Sequence, residues 1–162
     1  MTKPQPIPEG YGTVTPWVVT KDTRRLLAFI KDAFDAEELA RVEVEGGAIG
    51  HAEARIGDSI IMMFDSPFPV ATPGLLRLYV EDGDAAFRRA VAAGATAVTQ
   101  PTELAWGDRV GRVRDPLGNI WWIQERLEEP APDELARRFQ DPEFTQAMRY
   151  VQSTLAAGLD AS

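Results

Sequence analysis

Hydrophobic and polar positions along the chain repeat one pattern twice. Val18-Val19-Thr20 leads to Asp22, and Leu78-Tyr79-Val80 leads to Asp82, 60 positions later. Each segment is typical of a short strand followed by an aspartate that caps a helix. Apolar residues then follow at helical spacing: Leu26, Leu27, Ile30 and Phe34 in the first copy, and Ala86, Phe87, Ala90 and Val91 in the second.

Three further strand-like runs follow each predicted helix. They cover residues 38–44, 49–56 and 59–64 in the first half, and residues 96–102, 109–114 and 120–124 in the second. We align the last hairpins of the two halves on their turn glycines, Gly57 and Gly118. The sequence therefore predicts an α+β fold of two tandem β-α-β-β-β modules, residues 11–66 and 72–128.

Residues 129–162 follow a different pattern and are predicted to form a C-terminal helical extension of the domain at residues 1–128. Asp141-Pro142-Glu143 provides a cap, a first-turn proline and an early acidic residue for a helix. An apolar stripe follows, formed by Phe144, Met148, Val151 and Leu155. The stripe favours packing on the protein's own core or on a partner subunit, and the alternative is a lid over a ligand cavity.

The composition excludes several classes of function. The 162 residues contain no cysteine and one histidine, His51, so disulfide scaffolds, thiolate zinc sites and cysteine nucleophiles are excluded. The formal charge of −8 argues against nucleic acid as a partner, because phosphate binding needs a basic face. No apolar stretch is long enough to span a membrane, so we expect no membrane partner and a cytoplasmic location.

The duplicated unit resembles the vicinal oxygen chelate superfamily, which includes glyoxalase I, bleomycin-resistance proteins, fosfomycin-resistance enzymes and extradiol dioxygenases. Residues 50–59, GHAEARIGDS, are similar to a stretch of its PhnB-like members, and segments 106–111 and 115–121 are similar to their WGDRxG and DPxGxxW signatures. The resemblance implies curved mixed sheets that form a cup. It also implies that modules pair to build each cup, so we expect a homodimer. It implies no single reaction, because this fold hosts both enzymes and non-catalytic drug binders.

The resemblance also implies where a metal ion would bind. In the metal-dependent relatives, the first and last strands of each half supply the ligands, and the corresponding residues here are Thr15, Ile61, Leu75 and Trp122. Three of these side chains are apolar, and a lone threonine hydroxyl is a weak ligand. We therefore expect no metal ion and no other cofactor.

His51 and Glu53 are two positions apart on a predicted strand, so they share a face with Arg55. The pair could act as a general base or contact a polar ligand. The remaining alternative is a hydrogen-bonded polar ladder with Arg55 and no role in function.

Strand periodicity predicts which side chains face the cups. Ile61 is placed there, together with the candidate ligand-binding residues Trp17, Met63, Arg77, Tyr79, Trp122 and Gln124, whereas Ile60, Met62, Phe64, Trp121 and Ile123 are expected to pack under the helices. The last two candidate ligand-binding residues are Trp106 and Arg109, which are expected to lie in a loop or at the start of a strand. Arg109 either binds an anionic group or forms a salt bridge with Asp108 or Glu103.

The predicted cup suits a small, flat, partly aromatic organic molecule, although Trp17 and Trp122 could simply fill it. Two functions therefore remain after the sequence analysis. One is metal-independent binding of such a molecule, as in drug-sequestering resistance proteins. The other is a glyoxalase-like lyase or isomerase reaction that uses His51 and Glu53.

Overall fold

The structure is a computed structural model that describes residues 5–68 and 73–160. The chain divides into two compact units, Met1–Gly74 and Leu75–Ser162, and each contains a four-stranded mixed sheet. Within the described residues, no helix is long and apolar enough to cross a membrane. The α+β fold with two modules is confirmed, whereas the predicted domain limits stay a prediction.

The first unit contains β1 (Trp17–Thr20), α1 (Thr23–Phe34), β2 (Glu37–Glu43), β3 (Ile49–Ile56) and β4 (Ser59–Asp65). Its sheet has the order β1-β4-β3-β2, with β1 parallel to β4 and the other pairs antiparallel. Leu26 and Ile30 of α1 are fully buried, as are Ala52 and Met63 of the sheet. This apolar contact fixes the helix on one face and leaves the other face for a site.

The second unit repeats this arrangement and adds two helices. It contains β5 (Leu75–Tyr79), α2 (Gly83–Ala92), β6 (Thr96–Glu103), β7 (Asp108–Arg114), β8 (Ile120–Arg126), α3 (Pro132–Arg138) and α4 (Pro142–Asp160). The sheet order is β5-β8-β7-β6, with β5 parallel to β8. The two sheets therefore have the same topology.

Helix α4 packs on the sheet of its own unit. Val151 is buried in a cluster with Leu104 and Val110, and Thr154 Oγ1 lies 2.8 Å from Thr99 Oγ1 of β6. The apolar stripe therefore packs on the protein's own core, on the sheet face that the sequence analysis assigned to the cup, and a role as a lid stays a prediction. The helix covers the β6–β7 half of the sheet face opposite α2.

Both helices that follow a first strand start in the same way. Asp22 and Asp82 accept the backbone N–H bonds of Arg25 and Ala85, as their positions predicted. A carboxylate at the end of the last strand adds a second bond at each helix. Asp65 accepts from Thr23 N–H at 2.7 Å and Glu125 accepts from Gly83 N–H at 2.9 Å, so these two acids occupy equivalent positions.

The predicted orientation of β4 is wrong by one residue. Trp17 pairs with Met62 across β1 and β4, and Arg77 pairs with Trp122 across β5 and β8, so Met62 is the equivalent of Trp122. Consequently Met63 lies on the α1 face, where it is fully buried, and its neighbours Met62 and Phe64 lie on the opposite face. Ile61 and Ile60 are exchanged in the same way.

The cause of this error is the length of the two hairpin turns. Two residues separate the paired Ile56 and Ser59, whereas five residues separate the paired Arg114 and Ile120. The turn glycines are therefore not equivalent, and counting from them shifts the first half by one position. For β8 the count is right, because Trp121 is fully buried on the α2 face and Trp122 lies on the other face.

Candidate functional site

The sheet face opposite α1 carries Trp17, His51, Glu53, Ile60, Met62 and Phe64, and we call it the first open face. Trp17 is 54% exposed, a large value for an indole. Its Nε1 donates to the Met62 sulfur, and its ring stands edge-on to Phe64 with 5.3 Å between centroids. The neighbours thus hold the indole in one orientation while much of its surface stays accessible.

A hydrogen-bonded network lies beside this indole. His51 Nε2 is 2.8 Å from Glu53 Oε1, the Tyr11 hydroxyl donates to Glu53 Oε2, and the imidazole centroid is 5.9 Å from the Trp17 ring. The bond from Tyr11, followed by that from His51, holds the pKa of Glu53 below its usual range. The same bond to Glu53 raises the pKa of Tyr11.

This network determines which group is available for chemistry. With Glu53 ionised, Nε2 of His51 is the donor of the shared hydrogen bond, and in the neutral form of the imidazole the lone pair is then on Nδ1. The candidate base is therefore the imidazole of His51, and not the carboxylate of Glu53, which already takes part in two hydrogen bonds. Among the described residues Arg55 has no hydrogen bond to His51 or Glu53; its Nε lies 3.9 Å from Glu37, and its charge acts on the neighbouring Tyr11.

The sheet face opposite α2 is half covered by α4, and we call it the α4 face. Across its strands runs a row of three side chains, Arg77 on β5, Trp122 on β8 and Arg112 on β7. The guanidinium carbons of Arg77 and Arg112 lie 4.8 and 3.6 Å from the Trp122 ring centroid. Arg112 is 2% exposed, and this burial, followed by the charge of Arg77, lowers the pKa of Arg112 to about 10.

The remaining candidates of the second unit are distributed over this face and its edge. Gln124 is buried and donates to Asp108, whereas Tyr79 is 61% exposed. Trp106 and Trp122 pack against the cluster under α4, so Trp122 partly fills the face, as the alternative reading of the sequence allowed.

Arg109 lies away from the α4 face. Its strand partner on β8 is Glu125, on the α2 side. Its guanidinium donates to Asp84 at 2.8 Å and to Glu103 at 2.6 Å. The salt bridge to Glu103 is therefore the alternative that is found, and Asp108 is not its partner. The hydrogen bond to Glu103 is the largest cause of the raised pKa of Arg109. Burial lowers this pKa, and the charges of the neighbouring carboxylates raise it further.

The structure brings Trp17, His51 and Glu53 together on one face, and Arg77, Trp122 and Gln124 on another. Their roles in ligand binding stay predictions. The sequence analysis missed four side chains of these faces: Tyr11, Met62, Phe64 and Arg112. Arg112 and Val110 are two positions apart on β7, so strand alternation places them on the same face. The contact of Arg112 with Trp122 depends on the pairing of β7 with β8, which periodicity does not specify.

The residues at the implied metal positions do not fit a divalent cation. With the register corrected, those positions are Thr15, Leu75, Met62 and Trp122, which offer a hydroxyl, a thioether and no carboxylate or imidazole. Over the described part of the chain, no three His, Cys, Asp or Glu side chains form a group that could hold a metal ion.

Comparison with known proteins agrees with this geometry. The model of the Glyoxalase/Bleomycin resistance protein/Dioxygenase superfamily matches residues 11–123. The chain belongs to this superfamily. An uncharacterized protein of Mycobacterium bovis is 37% identical over 134 residues, which cover 75% of this chain and 88% of that protein.

Solved structures show the same fold. TioX from Micromonospora sp. ML1 matches with a TM-score of 0.62 and 27% identity, over 72% of this chain and all, 100%, of TioX. The PhnB protein from Bacillus cereus matches with a TM-score of 0.55 and 15% identity, over 70% of this chain and 98% of that protein. The PhnB protein thus shares the fold of this chain.

Proposed function

We propose that the protein binds a small, partly aromatic organic molecule without a metal ion, as drug-sequestering resistance proteins do. The observation that carries this proposal is the half-exposed indole of Trp17, held in place by Met62 and Phe64. An exposed, oriented ring is suited to stacking on a planar ligand, because little conformational entropy is lost when the contact forms. His51 and Glu53 provide directed polar contacts beside it.

Two measurements test this function. Native mass spectrometry of the protein purified from its own host should show a co-purifying organic molecule. Titration with 2-naphthol should quench indole emission and bind less tightly by about 1–3 kcal/mol in the Trp17→Ala variant. Phe139→Ala is the matched control, because Phe139 is 57% exposed at the end of α3 and should not contribute. Equal affinity in all three proteins contradicts the proposal.

The metal-independent part of the proposal has its own test. The ligand positions Met62 and Trp122 are unsuited to a divalent cation. Elemental analysis of protein purified without a chelator should find no stoichiometric nickel, zinc, iron or manganese, and addition of these ions should leave 2-naphthol binding unchanged. A stoichiometric metal would overturn this part.

The second candidate is a glyoxalase-like lyase or isomerase reaction. It is favoured by one observation, the orientation of His51 by Glu53 and Tyr11, which leaves Nδ1 as a base beside an exposed aromatic ring. The methylglyoxal–glutathione hemithioacetal is the probe for it. Turnover that His51→Gln abolishes, and that Tyr11→Phe lowers, would favour this function over simple binding.

Assembly and location complete the proposal. We propose a homodimer in the cytoplasm, on the basis of the superfamily assignment and of an amino-acid composition without cysteine. Size-exclusion chromatography with light scattering should give twice the mass of one chain at micromolar concentration, and a single-chain mass would contradict it. Cell fractionation tests the location.

A further inference from the structure

Arg112 carries a buried charge that no carboxylate in the described part of the chain neutralises. The residue is 2% exposed, and among the described residues it has no ion-pair partner. Its Nη1 donates to Thr99 Oγ1 at 3.1 Å and to the Val151 carbonyl at 2.6 Å, but its Nε is buried without an acceptor. Burial of a guanidinium without an anion destabilises a protein, so such a residue needs an explanation.

The side chain stacked on Arg112 has the same deficit. The Nε1 atom of Trp122 is also buried and has no hydrogen-bond acceptor within the described residues. Arg77 brings a second positive charge to the same indole ring, and like charges repel. The row Arg77–Trp122–Arg112 thus combines two cations with two buried N–H groups that have no acceptor among the described residues.

A purely structural role for Arg112, as a tether for α4, does not account for its charge. Thr99 Oγ1 also lies 2.8 Å from Thr154 Oγ1, so it keeps a hydrogen-bond partner when the guanidinium is removed. The single proton of the Thr154 hydroxyl is within reach of the Tyr150 carbonyl at 2.9 Å and of the Val151 carbonyl at 3.2 Å. Removal of Arg112 would therefore cost at most the bond to the Val151 carbonyl, and it would relieve the buried charge.

We propose that Arg77, Trp122 and Arg112 form, within the second unit, a subsite for the carboxylate group of a planar aromatic molecule. The inference rests on the proposed function, the binding of such a molecule, narrows the class of ligand to aromatic carboxylates, and concerns only the α4 face. Arg77 is exposed on the edge strand β5, whereas Arg112 lies under α4. A carboxylate can therefore approach from the β5 side, where exposed Leu75 and Tyr79 flank Arg77 and offer apolar contact to a ring.

Other carboxylates near the row do not compete for this role. Asp108, on the same face of β7, already accepts a hydrogen bond from Gln124. Guanidinium groups bind carboxylates through paired N–H bonds, and the stacking on Trp122 fixes the plane in which the Arg112 donors lie.

The test compares 1-naphthoate with its uncharged isostere 1-naphthamide by isothermal titration calorimetry. The intact protein should bind 1-naphthoate about tenfold more tightly or better, since charged hydrogen bonds are strong in a buried site. Arg112→Met should remove the preference, with a large loss of 1-naphthoate affinity and a much smaller loss for 1-naphthamide, whose neutral carbonyl oxygen is the weaker acceptor. Arg77→Gln and Trp122→Phe should each reduce the preference in part. Arg137→Gln, which removes an exposed charge on α3, is the control and should not change it.

A thermal melt of the free protein separates a binding role from a structural one. Arg112→Met should melt at the same temperature as the parent or higher, because the buried charge is gone and methionine fills similar space. A large decrease in Tm, or a naphthoate preference that survives Arg112→Met, overturns the inference. If Arg112→Met does not fold, an unchanged preference in both Arg77→Gln and Trp122→Phe overturns it.

The outcome for the two compounds also separates this inference from the proposed function. Equal binding of 1-naphthoate and 1-naphthamide leaves the proposed function in place and contradicts the carboxylate subsite. Binding of neither compound contradicts both.

Discussion

The indole nitrogen of Trp121 donates a hydrogen bond to Oδ2 of Asp115, 2.8 Å away, in the buried turn between β7 and β8. The same carboxylate accepts from the Asn119 side chain at 2.8 Å and from the backbone N–H groups of Leu117 and Asn119. One buried acid thus holds a five-residue turn and connects it to the core under α2.

Asp115→Ala should therefore lower the free energy of unfolding by about 3–5 kcal/mol, because it leaves several buried donors without an acceptor. The exposed carboxylate of Asp141 accepts a hydrogen bond from the backbone N–H of Glu143, at the start of α4. Asp141→Ala should therefore lower the free energy of unfolding by only about 1 kcal/mol. Urea denaturation of the two variants measures the difference. Similar midpoints would contradict the role given to the buried turn.

Trp121 and Trp122 are neighbours in sequence but point to opposite faces of the sheet. Trp121→Ala should lose about 3–5 kcal/mol of stability, since it leaves a cavity in the core. Trp122→Ala should lose less stability, and should weaken 1-naphthoate binding by about 1–3 kcal/mol. Denaturation and titration of both variants check this, and exchanged phenotypes would show that the faces are assigned the wrong way round.

Acid titration should reveal the network of Glu53. The pKa of Glu53 is lowered in the folded protein by Tyr11 and then His51, so its contribution to stability is present above the unfolded pKa and is lost as the pH falls through the folded pKa. Glu53→Gln should therefore flatten the fall in stability below about pH 4.5, the unfolded value for glutamate. Thermal melts at a series of acidic pH values measure this, and parallel curves would contradict it.

Tyr11 gives a spectroscopic signal at the alkaline end. Its pKa is raised mainly by the bond to Glu53, so its stabilising contribution is present below the unfolded pKa and is lost as the pH rises through the folded pKa. In an absorbance titration at alkaline pH, Tyr11→Phe should remove a late phenol transition. Glu53→Gln should move that transition earlier, and a Tyr11 transition that Glu53→Gln leaves in place would show that the bond is absent in solution.

Two glycines with positive φ should respond differently to alanine. Gly107 has φ of 88°, and a Cβ there would lie 2.4 Å from the Glu128 carbonyl oxygen, whereas a Cβ at Gly57, with φ of 58°, meets nothing within 4 Å. Gly57→Ala should therefore lose about 1 kcal/mol from backbone strain alone. Gly107→Ala should lose several-fold more, because backbone must move as well. Equal losses in chemical denaturation would count against the close approach at Gly107.

Much of the fold could be predicted because its signals are local. Alternation within β3 and the caps at Asp22 and Asp82 depend on residues a few positions apart, and these elements lie where the pattern indicated. The prediction of which side chains of β4 share a face was wrong for a non-local reason. It depends on the number of residues in a turn, and a single position in that count exchanges the two faces of a strand.

The candidate site was predictable only in part. His51 and Glu53 share a face by simple alternation, whereas their partner Tyr11 comes from an irregular segment 42 positions before Glu53. The stack of Arg112 on Trp122 depends on the pairing of β7 with β8. The spacing of apolar residues predicts the apolar stripe of α4, but it does not predict which surface the stripe covers.

His51 and Val110 occupy equivalent positions in the two sheets, two residues before the partners of Met62 and Trp122. One is a partly exposed imidazole, and the other is a valine that is 1% exposed beneath α4. The added helix thus imposes opposite physical requirements on two equivalent positions. The position of His51 accommodates polar side chains because water reaches it, whereas Val110 is confined to apolar side chains of similar volume.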